Sequence, residues 1–157
     1  NTLPIVWNWA FLESNKSVGE NDSNMTAMTV LRHAGIVFAF NSSVWDKFKL
    51  GELVSFNDNQ TGKPSLRNTV YEPMEGDMPL PPIQGIKDLQ SRGSMFCVCD
   101  LATRVYGSAV ASKMNLDPDD VYAEMIEGIL PGIKLVPSGV MALGRAQNEN
   151  CAYIFAG

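Results

Sequence analysis

Long hydrophobic runs, basic clusters and histidine are what this chain lacks. No apolar stretch approaches the roughly 20 residues of a membrane-spanning helix, so a helical membrane span is not expected. The 12 Lys and Arg are scattered among 17 Asp and Glu, leaving a net charge of -5. Nothing in that pattern follows a phosphate backbone, and nucleic acid is not an expected partner. Cysteine is scarce and odd in number: three thiols cannot all pair within one chain, so a disulfide scaffold is excluded and at least one thiol is free or pairs with another chain. The single histidine, His33, and the absence of any common zinc spacing argue against a metal, and no cofactor motif is present. A Gly-x-Ser-x-Gly elbow is also missing, which removes the usual serine hydrolase.

What is present is enough for a folded core. The 157 residues are 45% hydrophobic and 18% charged. That suits one domain over 1–157 burying roughly 70% of its unfolded surface. The chain opens on Asn1, with neither Met nor a charged and apolar leader before it, and reads as a processed chain, a fragment or the ordered part of something longer. Five Asn-x-Ser/Thr sequons, at Asn15, Asn21, Asn24, Asn41 and Asn59, read as coincidence in an Asn-rich chain.

Residues 1–24 form an N-terminal extension whose apolar, Trp-rich start, Ile5 to Leu12, suits either a strand or a short helix. Met25 to Arg32 predicts a strand, and a second apolar run, Ile36 to Phe40, follows the His33-Ala34-Gly35 break. Ser42 or Ser43 then caps a short segment carrying Val44, Trp45, Phe48 and Leu50. From 54 to 82 five prolines among Asn, Asp and Gly deny regular structure. Irregular segments of that length are commonly lids, binding loops or subunit contacts, or else mobile insertions. Beyond it the pattern predicts a helix over 83–92, a strand to Cys99, and a helix over 101–114 with Leu101, Val105, Ala109 and Ala102, Tyr106, Val110 on one broad face. Asp117-Pro118-Asp119-Asp120 opens the next helix, Ile133 to Val136 is a short strand, Ser138 caps a helix to about Glu149, and Cys151 to Phe155 is a last strand. This alternation is that of a parallel α/β sheet covered on both faces.

Chemistry concentrates at Cys97-Val98-Cys99-Asp100, where a strand passes directly into a helix. Helix N-termini present unpaired N–H groups and the positive end of the macrodipole, which favour a thiolate. In a strand Cys97 and Cys99 share a face with Cα atoms about 6.6 Å apart. A disulfide between them therefore requires the strand to break. Cys97 reads as a packed strand residue, and Cys99 as the thiol at the carboxyl end of the sheet, where open α/β sheets bind ligands. Cys99 is either a small buried hydrophobe or a nucleophile, and Asp100 either faces its sulfur or caps the helix. Cys151 is a resolving thiol or a core or edge residue. His33 and Arg32, just past a strand, are structural or orient an anion. Ser138-Gly139 is an ordinary cap or an anion-holding turn, and Arg67 with Asn68 closes over the site or stands in solvent.

The segments Phe96-Cys97-Val98-Cys99-Asp100-Leu101-Ala102, Leu130-Pro131-Gly132-Ile133-Lys134-Leu135-Val136-Pro137-Ser138-Gly139 and Cys151-Ala152-Tyr153-Ile154-Phe155 together resemble the DsrE/DsrF-like sulfur-relay family. Val30-Leu31-Arg32-His33, Asn41, Trp45 and Leu50-Gly51-Glu52 are similar to its exported, often Tat-signal-bearing branch. The resemblance covers about residues 25–157. It implies a three-layer, flavodoxin-like α/β fold with a mainly parallel sheet of about five strands, helices on both faces, and assembly as dimers, trimers or hexamers. It also implies that Cys99 accepts sulfane sulfur as a persulfide and passes it to a partner protein; around it the residues themselves offer Cys97, His33 and Cys151 as auxiliaries and Arg32, Asn41, Arg67, Asp100, Ser138 and Gly139 for binding. The location implied is periplasmic or otherwise exported, with the cytoplasm as the alternative. The competing expectation is a non-catalytic, exported structural or ligand-binding homo-oligomer. The Cys97 companion thiol and the 54–82 proline-rich insertion set this chain apart from the small relay proteins.

Overall fold

In the computed structural model, which describes residues 2–156, three short parallel strands form one sheet in the order β1-β2-β3: β1 Met28–Leu31, β2 Met95–Cys99 and β3 Ile133–Val136. β2 is central, with Leu31 opposite Val98 on one side and Cys99 opposite Val136 on the other. The α/β class and the parallel sheet agree with the sequence reading. The strand number does not: the described residues carry three strands rather than about five.

The missing strands have physical reasons. Ile5 to Leu12 lies in helix α1, Leu3–Ser17, which starts with Pro4 in its first turn and buries Ile5, Asn8 and Leu12 at helical spacing. Ile36 to Phe40 coils instead of extending. The His33 backbone turns to φ 49°, the Gly35 N–H bonds back to the Arg32 carbonyl, and a 3-10 helix runs over His33–Ala39. A short continuous apolar run signals burial on every side, not a particular backbone. Cys151 to Phe155 forms no ladder, and Tyr153, Ile154 and Phe155 are exposed.

The remaining helices are α2 Ser42–Lys47, α3 Leu50–Leu53, α4 Ile86–Ser91, α5 Asp100–Met114, α6 Pro118–Glu127 and α7 Gly139–Asn148. Asn41 caps α2, its Oδ1 accepting the Val44 N–H, so this side chain is used in the fold. Asp117 caps α6 in the same way. Successive strand residues point to opposite faces, and contacts assign the covers. Asn8 of α1 bonds Thr29 on one face, whereas Gly139 of α7 lies against Val30 and Arg32 on the other. The core fills with Ile5, Leu31, Phe40, Phe96 and Met125, and Phe38, Trp45 and Phe56 make edge or tilted ring contacts 5.3–6.0 Å apart.

The 54–82 segment carries no helix or strand ladder, as its prolines predict, yet it is tightly held. Arg67 forks between two buried carboxylates, reaching Asp58 at 2.6 Å and Asp77 at 2.7 Å. Asn68 donates to the Phe38 and Phe40 carbonyls and accepts from the Val70 and Tyr71 N–H groups. Gly51 admits this chain because an added Cβ would lie 2.3 Å from the Ser65 backbone. Arg67 therefore builds the segment and neither closes over a site nor stands in solvent.

The Arg67 hydrogen bonds hold the Asp58 carboxyl below its usual range; burial pushes Asp77 up, but the same arginine more than offsets it, leaving Asp77 lowered as well. Depressed carboxylates contribute stability above their unfolded values near about 4, and that contribution is lost as pH falls through the lower folded values. Arg67→Met strands both charges and should cost about 3–5 kcal/mol at pH 7 in urea unfolding. The deficit should shrink below about pH 4 as the carboxyls protonate.

Candidate functional site

The carboxyl ends of the three strands bring most of the sequence-predicted residues together. β1 runs into Arg32 and His33, β2 into Cys99 and Asp100, and β3 into Pro137, Ser138 and Gly139. Arg32 is still extended, at φ -138° and ψ 169°. The β1–β2 ladder ends with Leu31 opposite Val98, so Arg32 and Cys99 are the residues that directly follow its last paired rung. Alternation places Val30, Arg32, Cys97 and Cys99 on the α7 side of the sheet. An added Cβ on Gly139 would stand 3.0 Å from the Arg32 Cβ and 3.2 Å from Val30 Cγ1. Glycine there lets α7 start directly against the stem of Arg32. The Leu101 N–H reaches the Pro137 carbonyl at 3.4 Å and ties the starts of α5 and α7 together.

Cys99 is itself the N-cap of α5. Its Sγ accepts the Ala102 N–H at 3.4 Å, and its carbonyl accepts the Thr103 hydroxyl at 3.0 Å. A sulfur in this place substitutes for the usual capping oxygen and meets the positive end of a 15-residue helix. Its residue is 6% exposed. Asp100 takes neither predicted role, because its carboxylate accepts Tyr122 Oη at 2.6 Å and Arg104 Nε at 3.0 Å. Arg104 also lies over the Tyr122 ring, 4.0 Å from its centroid. That cluster fastens α5 to α6 and leaves the thiol without a carboxylate partner in its contacts.

Cys97, one period below on the same face, is buried, and desolvation together with the neighbouring Cys99 pushes its thiol up to about 11. It packs as a thiol. Cys151 is exposed at the far end of α7, whose ten residues span about 15 Å. It does not share the strand ends with Cys99. His33 is exposed, in the left-handed region that β-carbon residues adopt at a cost, on the turn that leaves β1. Ser138 occupies the N-cap of α7 without a side-chain capping bond, so its hydroxyl stays available beside Arg32. Asn41 and Arg67 lie outside this cluster, in the bonds already described. Among the described residues no group of three or more His, Cys, Asp or Glu could hold a metal, and no helix is long and apolar enough to cross a membrane.

Sequence reasoning missed the Asp100–Arg104–Tyr122 cluster, although Asp100 and Arg104 stand at the i,i+4 spacing that signals such a pair. It also missed a cavity of about 790 Å³ along β1 with Arg32 and His33 in its lining, which no local pattern encodes. The three thiols should alkylate in a fixed order. In native protein at pH 7 iodoacetamide labels Cys151 first, and Cys97 reacts at least about 100-fold more slowly because its ionised fraction is roughly one in ten thousand. Peptide mass mapping over time checks this. Comparison with protein families, with curated proteins and with solved structures found no match to this chain.

Proposed function

We propose that this protein is a sulfur carrier in which Cys99 takes up sulfane sulfur as a persulfide and hands it to a partner. The observation that carries the reading is the Cys99 Sγ seated as the N-cap of α5, at the carboxyl end of the central strand. The reading takes the three-stranded sheet as the centre of the flavodoxin-like architecture of the DsrE/DsrF-like sulfur-relay family, in its exported branch.

The chemistry needs no external oxidant. The Cys99 thiolate, its proton released to water, attacks the outer sulfur of an R–S–SH donor. A new S–S bond forms on Cys99, the donor S–S bond breaks, and R–S⁻ leaves with the electron pair. A nucleophile on the acceptor then takes the terminal sulfur and restores the thiolate. The Ala102 N–H and the α5 dipole stabilise the sulfur anion, and Arg32, His33 and the Ser138 hydroxyl orient an anionic donor. Polysulfide treatment followed by peptide mass spectrometry should show an adduct of about 32 Da on Cys99. Cys99→Ser abolishes it and Arg32→Ala slows its formation. Native Cys99 that takes no adduct and resists alkylation overturns the proposal.

A second reading, a non-catalytic exported homo-oligomer, is favoured by the apolar surface of α5. Leu101 and Val105, on the edge of the broad face that the sequence predicts, are 59% and 60% exposed, because the helix turns Thr103, Gly107, Val110 and Ala111 to the core. At i,i+4 they form one stripe. On this reading a second copy covers that stripe, so light scattering gives an oligomer that Leu101→Glu with Val105→Glu dissociates. A monomeric parent chain rules the reading out.

A further inference from the structure

We propose that the cavity along the outer edge of β1 binds an elongated apolar carboxylate, with Arg32 as its counter-charge. At about 790 Å³ it falls within the roughly 300–1,000 Å³ range of small-molecule sites. Its walls are mainly apolar, with Trp7 and Phe11 of α1, Leu143 of α7 and Tyr153 to Phe155 of the last segment, and the polar Ser55, Gln147 and Asn150 also line it. The polar atoms of Asn8 within the wall are already used, since its amide donates to Thr29 Oγ1 at 3.0 Å and accepts from Ser94 Oγ at 2.7 Å. Residues 26–35 line it without interruption, and the run from Met28 to Arg32 is about 13 Å long at roughly 3.3 Å per residue. The β1 wall is long enough to lie along an extended ligand.

Charge fixes the class of ligand. Not one of the 17 Asp and Glu residues lines the cavity, and the basic side chains that do, Arg32 and His33, are neighbours in the chain. Arg67, Arg92 and Arg104 each hold a carboxylate of the protein itself. Arg32 has no hydrogen bond or ion pair with any described residue, and its stem is immobilised against Gly139. A half-buried guanidinium in a mainly apolar cavity selects a planar anion that it grips bidentately. The competing occupant is an extended peptide. The Ala27 carbonyl faces β2, so by alternation the backbone groups of Met28 and Val30 face outward along the cavity. A peptide strand would use those groups and leave the charge asymmetry unexplained, which favours the acid.

The proposal does not rest on the sulfur chemistry, although both use Arg32. Calorimetric titration with decanoate and with 1-decanol tests it. Decanoate should bind saturably; Arg32→Ala should weaken it about ten-fold or more, the worth of a charge-assisted bond, while decanol changes within about two-fold. Leu143→Trp, checked as folded by circular dichroism, should block both, and Cys99→Ser should change neither, which separates this site from the thiol. Absence of saturable decanoate binding overturns the proposal. So does an equal loss for acid and alcohol in Arg32→Ala, undiminished binding in a folded Leu143→Trp, or an end-blocked apolar peptide that binds where decanoate does not.

Discussion

Everything at the strand ends depends on β2 being paired on both edges and covered on both faces. Phe96, Cys97, Val98 and Cys99 are buried, so their backbone N–H and C=O groups have no water to return to if the ladder opens. Parallel pairing with β1 and β3 is therefore what sets the height of the last rung, and with it the neighbours of Cys99. A one-residue slip would turn Cys99 to the opposite face and exchange it for Val98. The placement of Arg32, the start of α5 and the start of α7 all inherit their precision from that single register.

The long irregular segment obeys a different rule. Its order comes from a few buried polar side chains, Arg67 with Asp58 and Asp77, and Asn68 with four backbone groups. Such contacts add less net stability than apolar packing of the same volume, but they permit very few arrangements, because each alternative leaves a charge or an amide buried without a partner. This is how a proline-rich stretch without a ladder keeps one path across the surface. It also explains why the arginine most visible in the sequence as a candidate for binding is occupied elsewhere.

Elements with strong local signals were legible in the chain. Ile133–Val136 was bounded by glycine and proline, and Asp117-Pro118 announced α6 by its capping oxygen and first-turn proline. The gathering of Arg32, Cys99 and Ser138-Gly139 at one sheet edge followed from the strand–helix alternation. Long-range facts were not legible. The broad face expected for α5 is only half inward: Ala102, Tyr106 and Val110 pack on the core, whereas Leu101 and Val105 are exposed and Gly107 lies close to Val121 and Met125. The 151–155 segment has strand composition, yet no described neighbour pairs with it. Composition states a preference, and a ladder needs a partner.

The Asn8 amide ties α1 to Thr29 in β1 and to Ser94 at the foot of β2. These are buried bonds, so α1 cannot shift along the sheet by a turn without orphaning three polar groups together. The same helix supplies Trp7 and Phe11 to the wall of the cavity. Docking of the helix and integrity of the cavity are thus one equilibrium. By linkage, whatever occupies the cavity tightens the amino-terminal helix against the sheet, and whatever loosens that helix empties the cavity.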